Sequence, residues 1–191
     1  MASKKESSFL NMVLTLFVVA VVAALALGAV YVATEKPIAL AKQKKQEAAI
    51  KAVLPAFDKL EVKMVADADG DDSLRMNLAS QDGKLVGVAV NTYTNKGFGG
   101  RIDAMVGFLP DGSIYNTSIL SLKETPGLGT KLDKKKSNFP DQFIDKNPAD
   151  FKLKVKKDGG DVDAITAATI SSRAFCDAVQ RAYDTFEKEV K

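Results

Sequence analysis

Ile102-Asp103-Ala104-Met105-Val106-Gly107-Phe108-Leu109-Pro110-Asp111-Gly112-Ser113-Ile114-Tyr115-Asn116-Thr117-Ser118-Ile119-Leu120-Ser121 reads as one β-hairpin. Two runs of strand-type residues, 102–109 and 114–121, flank a Pro-Asp-Gly-Ser cluster that favours a reversal. On the N-terminal side, 74–79 and 85–92 read as two more strands around the turn Gln81-Asp82-Gly83. In the second of these, Leu85, Gly87, Ala89 and Asn91 alternate with Val86, Val88, Val90 and Thr92, the period of a pleated strand. On the C-terminal side the sequence predicts a short helix over 139–144, a turn over 148–151 and a strand over 153–157. A final helix follows over 172–190, where Phe175, Val179, Ala182 and Phe186 recur at helical spacing. Upstream, 39–53 reads as a helix that closes at Leu54-Pro55, because the residue before Pro disfavours the α region. No internal repeat is evident. The expectation is an α+β fold: an antiparallel sheet flanked by helices.

One N-terminal transmembrane helix precedes this domain. Residues 9–33 carry no charge, and Asn11, Thr15 and Gly28 are the notable interruptions. About 20 such residues cross the hydrocarbon of a bilayer. Ala24-Leu25-Ala26 offers the small residues of a signal-cleavage site, but the apolar run continues past it and exceeds the roughly 7–15-residue core of a signal. An uncleaved anchor in the lipid bilayer is therefore expected. Pro37 is expected to kink or end the span. The organisation reads as an N-terminal tail over 1–8, a transmembrane helix over 9–33, a stalk and first helix over 34–55, and a soluble domain over 56–191. Lys4 and Lys5 precede the span, whereas Lys36, Lys42, Lys44 and Lys45 follow it. A count of positive charges alone would put the C-terminal side in the cytoplasm.

Composition narrows the chemistry. The chain has 27 basic and 24 acidic residues and no concentrated basic face, so nucleic acid is not expected as a partner. The Lys134-Lys135-Lys136 run reads as a solvated loop. There is no His and one Cys, Cys176. His-ligated haem, His-dependent zinc sites, Cys-ligated iron–sulfur clusters, an internal disulfide and His-based nucleophilic triads are all excluded. Cys176 falls in the last helix and reads as a buried, inert thiol. Asp67-Ala68-Asp69-Gly70-Asp71-Asp72 resembles the start of a calcium loop, but its twelfth position is Leu78, where that loop needs Glu. No metal site and no catalytic side chain are assigned. An electron carrier built on this chain would need an organic cofactor held by something other than Cys or His.

Three segments carry candidate chemistry. The first is Asp163-Ala164-Ile165-Thr166-Ala167-Ala168-Thr169-Ile170-Ser171-Ser172, at the start of the last helix. It reads either as an ordinary helix start with Ser171 or Ser172 as N-cap, or as a phosphate site. A helix start presents unpaired N–H groups and a positive pole. Thr169 offers an esterifiable hydroxyl, Ala167 and Ala168 allow close approach, and Ser171 and Ser172 offer hydroxyl donors. The second segment is Glu124-Thr125-Pro126-Gly127-Leu128-Gly129-Thr130. Pro-Gly suits a type II turn, and Leu128 would face a partner or a flat ligand. The third is Asn95-Lys96-Gly97-Phe98-Gly99-Gly100-Arg101-Ile102, a tight bend before a strand. Phe98 would meet either a ring system or, by default, the core.

Together, in this order and behind one N-terminal span, these motifs resemble a family of FMN-binding subunits over essentially the whole chain. Its members include the G subunit of the Rnf complex and the C subunit of the sodium-pumping NADH:quinone reductase, and the compact length is more similar to the Rnf member. The resemblance implies that Thr166, Ala167, Ala168 and Thr169 occupy the family's Ser/Thr-Gly-Ala-Thr motif, with FMN joined covalently to Thr169 as a phosphoester. Ala167 stands where Gly is usual, and a positive φ there would strain it by about 1 kcal/mol. It also implies that the loop carrying Glu124, Thr125, Gly127, Leu128 and Gly129 lies near the flavin, although Leu122 and Lys123 stand where a His is often seen. Further implications are a flavin transferase for maturation, other membrane subunits of an Rnf-type complex as partners, and single-pass residence in the inner (cell) membrane. The soluble domain would then be on the periplasmic face, against the lysine count. The implied function is electron carriage between ferredoxin and NAD, coupled by the assembly to ion transport. The alternatives are the FMN subunit of the sodium-pumping NADH:quinone reductase, a non-redox membrane scaffold, and non-covalent FMN binding.

Overall fold

The computed structural model describes residues 8–67 and 73–190. Residues 1–7 of the tail, with Lys4 and Lys5, and residues 68–72 of the acidic loop lie outside the described residues. The chain forms two compact units, Met1–Lys44 and Lys45–Lys191. The first unit contains most of one long helix, α1 (Phe9–Val53), long and apolar enough to be a candidate membrane span. The helix does not end at Pro37. Proline removes one helical hydrogen bond, but helix-favouring Ala, Leu, Glu, Lys and Gln dominate the residues around it and carry the helix through.

The second unit is built on a five-stranded antiparallel meander in sequential order: β1 (Lys59–Ala66), β2 (Ser73–Gln81), β3 (Lys84–Gly97), β4 (Gly100–Phe108) and β5 (Ile114–Ser121). Asp82 (φ 50°) and Gly83 (φ 77°) form the two-residue turn between β2 and β3, the positive φ pair that matches strand twist. Thr94 pairs with Ile102 and Gly97 with Gly100, so the β3–β4 hairpin closes on Phe98 and Gly99.

The second helix, α2 (Thr169–Val190), lies on one face of the sheet. Phe175, Val179, Ala182 and Phe186 share a core with Met76, Val88, Val90, Ile102, Val106 and Phe108. Phe108 stacks on Phe186 with ring centroids 5.0 Å apart, and Phe139 and Phe143 meet the edge of Phe175. Full burial of each such ring contributes about 1.5–3 kcal/mol. On the opposite face Ile50, Val53 and Leu54 pack with Ala79, Ala89 and Met105.

The α+β fold, the antiparallel sheet and the apolar N-terminal helix agree with expectation. Several details differ. β1 is a strand that no motif announced. Residues 153–157 are not a strand: Leu153 and Val155 are buried with period two, but only an isolated bridge joins Val155 to Val162. Gly159, with φ 78°, folds the chain back before a ladder can form. The helix expected over 139–144 is a 3₁₀ turn, Phe139–Phe143. The last helix begins at Thr169 rather than residue 172, so neither Ser171 nor Ser172 is its N-cap.

Candidate functional site

The fold gathers the three motifs at one end of the second unit. The β3–β4 turn, the loop after β5 and the first turn of α2 line a single open cleft of about 330 Å³. Glu124, Thr125, Leu128, Gly129, Ala167, Ala168, Thr169 and Ser171 all border it, joined by Phe98 and Ile170.

Glu124 is the junction. Its carboxylate is buried, 5% exposed. Oε1 accepts the Gly99 N–H at 3.0 Å, and Oε2 accepts the Ser171 hydroxyl at 2.6 Å. One side chain thus joins the hairpin turn to the helix. Pro126-Gly127 makes the expected type II turn: Leu128 N–H donates to the Thr125 carbonyl at 3.2 Å, and Gly127 has φ 75°. The Gly127 N–H donates to Thr130 Oγ1 at 3.0 Å, which stiffens the turn. Gly129 is required for a different reason. A Cβ there would overlap the Glu124 carboxylate and the Ser171 hydroxyl.

At the helix start, the Ala168 N–H donates to the Ile165 carbonyl, and the Ser172 N–H makes the first helical bond, to Ala168, at 3.0 Å. The N–H groups of Thr169, Ile170 and Ser171 precede that bond and lie in the helix's donor pole. Ala167 adopts φ 61°, the left-handed region. Among the described residues the Thr169 hydroxyl, half-buried at the cleft wall, has no hydrogen-bond partner. The other two hydroxyls are committed. Ser171 donates to Glu124, while Ser172 donates to the Ala168 carbonyl and accepts from the Ile165 N–H. Both serines are buried, so they brace the turn rather than present free donors. Thr166, Gly127 and Ser172 do not border the cleft.

Two wall residues carried no site assignment. Phe98 is 69% exposed rather than buried in the core, because the glycine-flanked turn projects it beyond the sheet. Ile170, 49% exposed, sits off the apolar stripe of α2, and that mismatch is the signal that marks it. With Leu128 at 37%, they give the cleft three apolar side chains open to a ligand. Such a mouth, with a few polar groups at its base, suits a flat, mostly apolar molecule ending in an anion.

Other polar groups lie outside the cleft. Asp67 takes the Tyr93 hydroxyl at 2.9 Å and pairs with Arg181, so it is part of a structural network. Lys134 pairs with Asp141 at 3.0 Å, and Lys135 and Lys136 are exposed. Cys176 is buried in α2; desolvation pushes its thiol up to about 12, which leaves it unreactive.

A family model described as an FMN-binding domain matches residues 97–184, a range that contains every residue bordering the cleft. The chain is 41% identical over 120 residues to the G subunit of the ion-translocating oxidoreductase complex of Shewanella baltica, 61% of this chain and 57% of that protein. It is 43% identical over 107 residues to the protein of that name from Erwinia tasmaniensis, 54% of this chain and 51% of that protein. These two matches span just over half the length of those relatives. With the protein of that name from Aliivibrio fischeri the match is end to end, 32% identical over all of this chain and 95% of the relative. The chain belongs to the family of G subunits of ion-translocating oxidoreductase complexes.

Proposed function

We propose that this chain is the electron-carrying FMN subunit of an Rnf-type membrane complex, with the flavin joined as a phosphoester to Thr169. The observation that carries the reading is the unpartnered Thr169 hydroxyl at the N-terminus of α2, in a cleft with three exposed apolar walls. The residues fit the group. Helix N–H groups and the positive pole would hold its phosphate, and Phe98, Leu128 and Ile170 would meet its rings. When bound, FMN supplies one- and two-electron redox chemistry.

The protein's part is attachment, orientation and electrostatics. Thr169 Oγ1 would hold the flavin phosphate as an ester, in place of the leaving group of an activated flavin donor, with its hydroxyl proton taken up by a base of a flavin transferase. The ester keeps the ring beside the cleft at high effective concentration. α1 anchors the domain in the lipid bilayer of the cell membrane, among the other subunits. The domain stands on the periplasmic side, since long domains translocate largely regardless of nearby lysines. The assembly would couple ferredoxin–NAD electron transfer to ion movement; the apolar segment of α1 carries no charge for an ion path of its own.

The test is co-expression of the full chain with a flavin transferase, followed by a denaturing gel under ultraviolet light. A fluorescent band, with a flavin mass on the peptide spanning 164–173, is expected. Thr169→Val should bring fluorescence to background while leaving the thermal midpoint in place. Flavin that survives denaturation in the Val variant would move the attachment elsewhere. Colour lost on denaturation of the unaltered protein would mean non-covalent FMN, and a protein colourless even when native would favour the scaffold.

A further inference from the structure

Glu124 is chemically out of place for a structural residue. It is buried, yet among the described residues no Lys or Arg pairs with it. Both of its oxygens are engaged, Oε1 by a backbone N–H and Oε2 by a hydroxyl. A buried charge satisfied by two neutral donors and no counter-ion lowers stability relative to a neutral group of the same shape. A glutamine would keep both ties: its carbonyl would accept from Gly99, and its amide would donate to the Ser171 hydroxyl. The negative charge is therefore not needed to hold the turn and helix together. What the charge does reach is the cleft, which Glu124 borders beside Thr169 and Leu128.

We propose that Glu124 is the positioning and tuning residue of this cleft: its side chain latches the β3–β4 turn to α2, and its charge makes the bound flavin harder to reduce. This rests on the reading of the cleft as the flavin site. A fixed negative charge in a region sheltered from water opposes added electrons on a nearby ring, because Coulomb energy grows as the effective dielectric constant falls. The latch and the charge are separable. Glu124→Gln removes the charge and keeps the latch; Glu124→Ala removes both.

The experiment compares the full chain, detergent-solubilised and matured with a flavin transferase, with Glu124→Gln and Glu124→Ala. Three readouts are taken: flavin fluorescence per protein on a denaturing gel, flavin midpoint potential, and thermal midpoint of the flavin-free protein. For Glu124→Gln the expected result is unchanged flavin content, a more positive potential and a thermal midpoint at or above that of the unaltered protein. For Glu124→Ala flavin content should fall about tenfold, the scale of a lost hydrogen-bonded tie to a charged group. An unchanged potential in a fully loaded Glu124→Gln protein would overturn the tuning role. A lowered thermal midpoint or lost cooperative melt in Glu124→Gln would make the carboxylate merely structural, and full flavin content in Glu124→Ala would remove the latch. If the unaltered protein carries no flavin through denaturation, the covalent reading fails instead; the potentials are then measured with FMN added in solution, and the same outcomes decide.

Discussion

Ala167 is held at φ 61°, two residues before Thr169, the first residue of α2. The left-handed region costs a residue with a Cβ about 1–2 kcal/mol, whereas glycine enters it freely but loses more entropy on folding. Set against each other, Ala167→Gly should stabilise the folded domain by about 0.5–1 kcal/mol. The measurement is the urea midpoint of the flavin-free protein, and an unchanged or lower midpoint would show that the backbone there is not strained. The positive φ was legible as a condition, from the glycine usual at this place in similar motifs. The roles of Ser171 and Ser172 were not legible. Nothing in their spacing reveals that one hydroxyl is taken by Glu124, 47 positions away, and the other by the preceding turn. Phe98 misled for the opposite reason: an aromatic residue suggests a core, and only the turn geometry shows that it points away from one.

At the scale of elements, α2 depends on charges at its flank as well as on its apolar stripe. Burial alone would raise the Asp177 carboxyl, but hydrogen bonds from Lys96 and Thr94 outweigh it and hold the group below its ordinary value. Asp158, bidentate with Arg173, is lowered chiefly by that hydrogen bond. A carboxyl lowered in the native state contributes stability that is present above its ordinary value and lost as pH falls through the native one. The domain should therefore lose stability below about pH 4, and Asp177→Asn should remove part of that acid dependence while weakening the protein at pH 7. Urea midpoints at pH 3, 4 and 7 check this, and parallel pH profiles for the two proteins would refute it. Elements were legible where local signals coincide with tertiary partners. The 114–121 run is β5 itself, and Asp82-Gly83 makes the turn that its residue types demand. Residues 153–157 show the limit. Alternation reveals which side chains are buried, but not whether a second strand lies alongside to accept the hydrogen bonds. β1 shows the converse: Val62 and Met64 alternate with Glu61 and Lys63, yet both are exposed, so the pattern lacks the contrast of a half-buried strand.

For the whole molecule, the division at Lys45 makes a prediction about what folds alone. Among the described residues the buried ones begin at Ala49, and the long series of exposed apolar side chains from Phe9 to Leu40 lies before the division. Removing residues 1–44 thus deletes no buried side chain among the described residues. The remainder is a domain of roughly 150 residues, a size that buries about two-thirds of its unfolded surface and folds independently. Its exposed large apolar residues, Val62, Met64, Phe98, Tyr115, Leu128 and Ile170, are few, and half of them face the cleft. The full chain should sediment with membranes and require detergent, whereas the truncated chain should remain in the supernatant. Its thermal midpoint should lie within about 4 °C of the full chain's, the shift that 1 kcal/mol makes in a domain of this size. A truncated protein that still sediments with lipid would place the membrane contact in the domain itself. A melt displaced well beyond that limit would show that the N-terminal part of α1 stabilises the core as well as anchoring it.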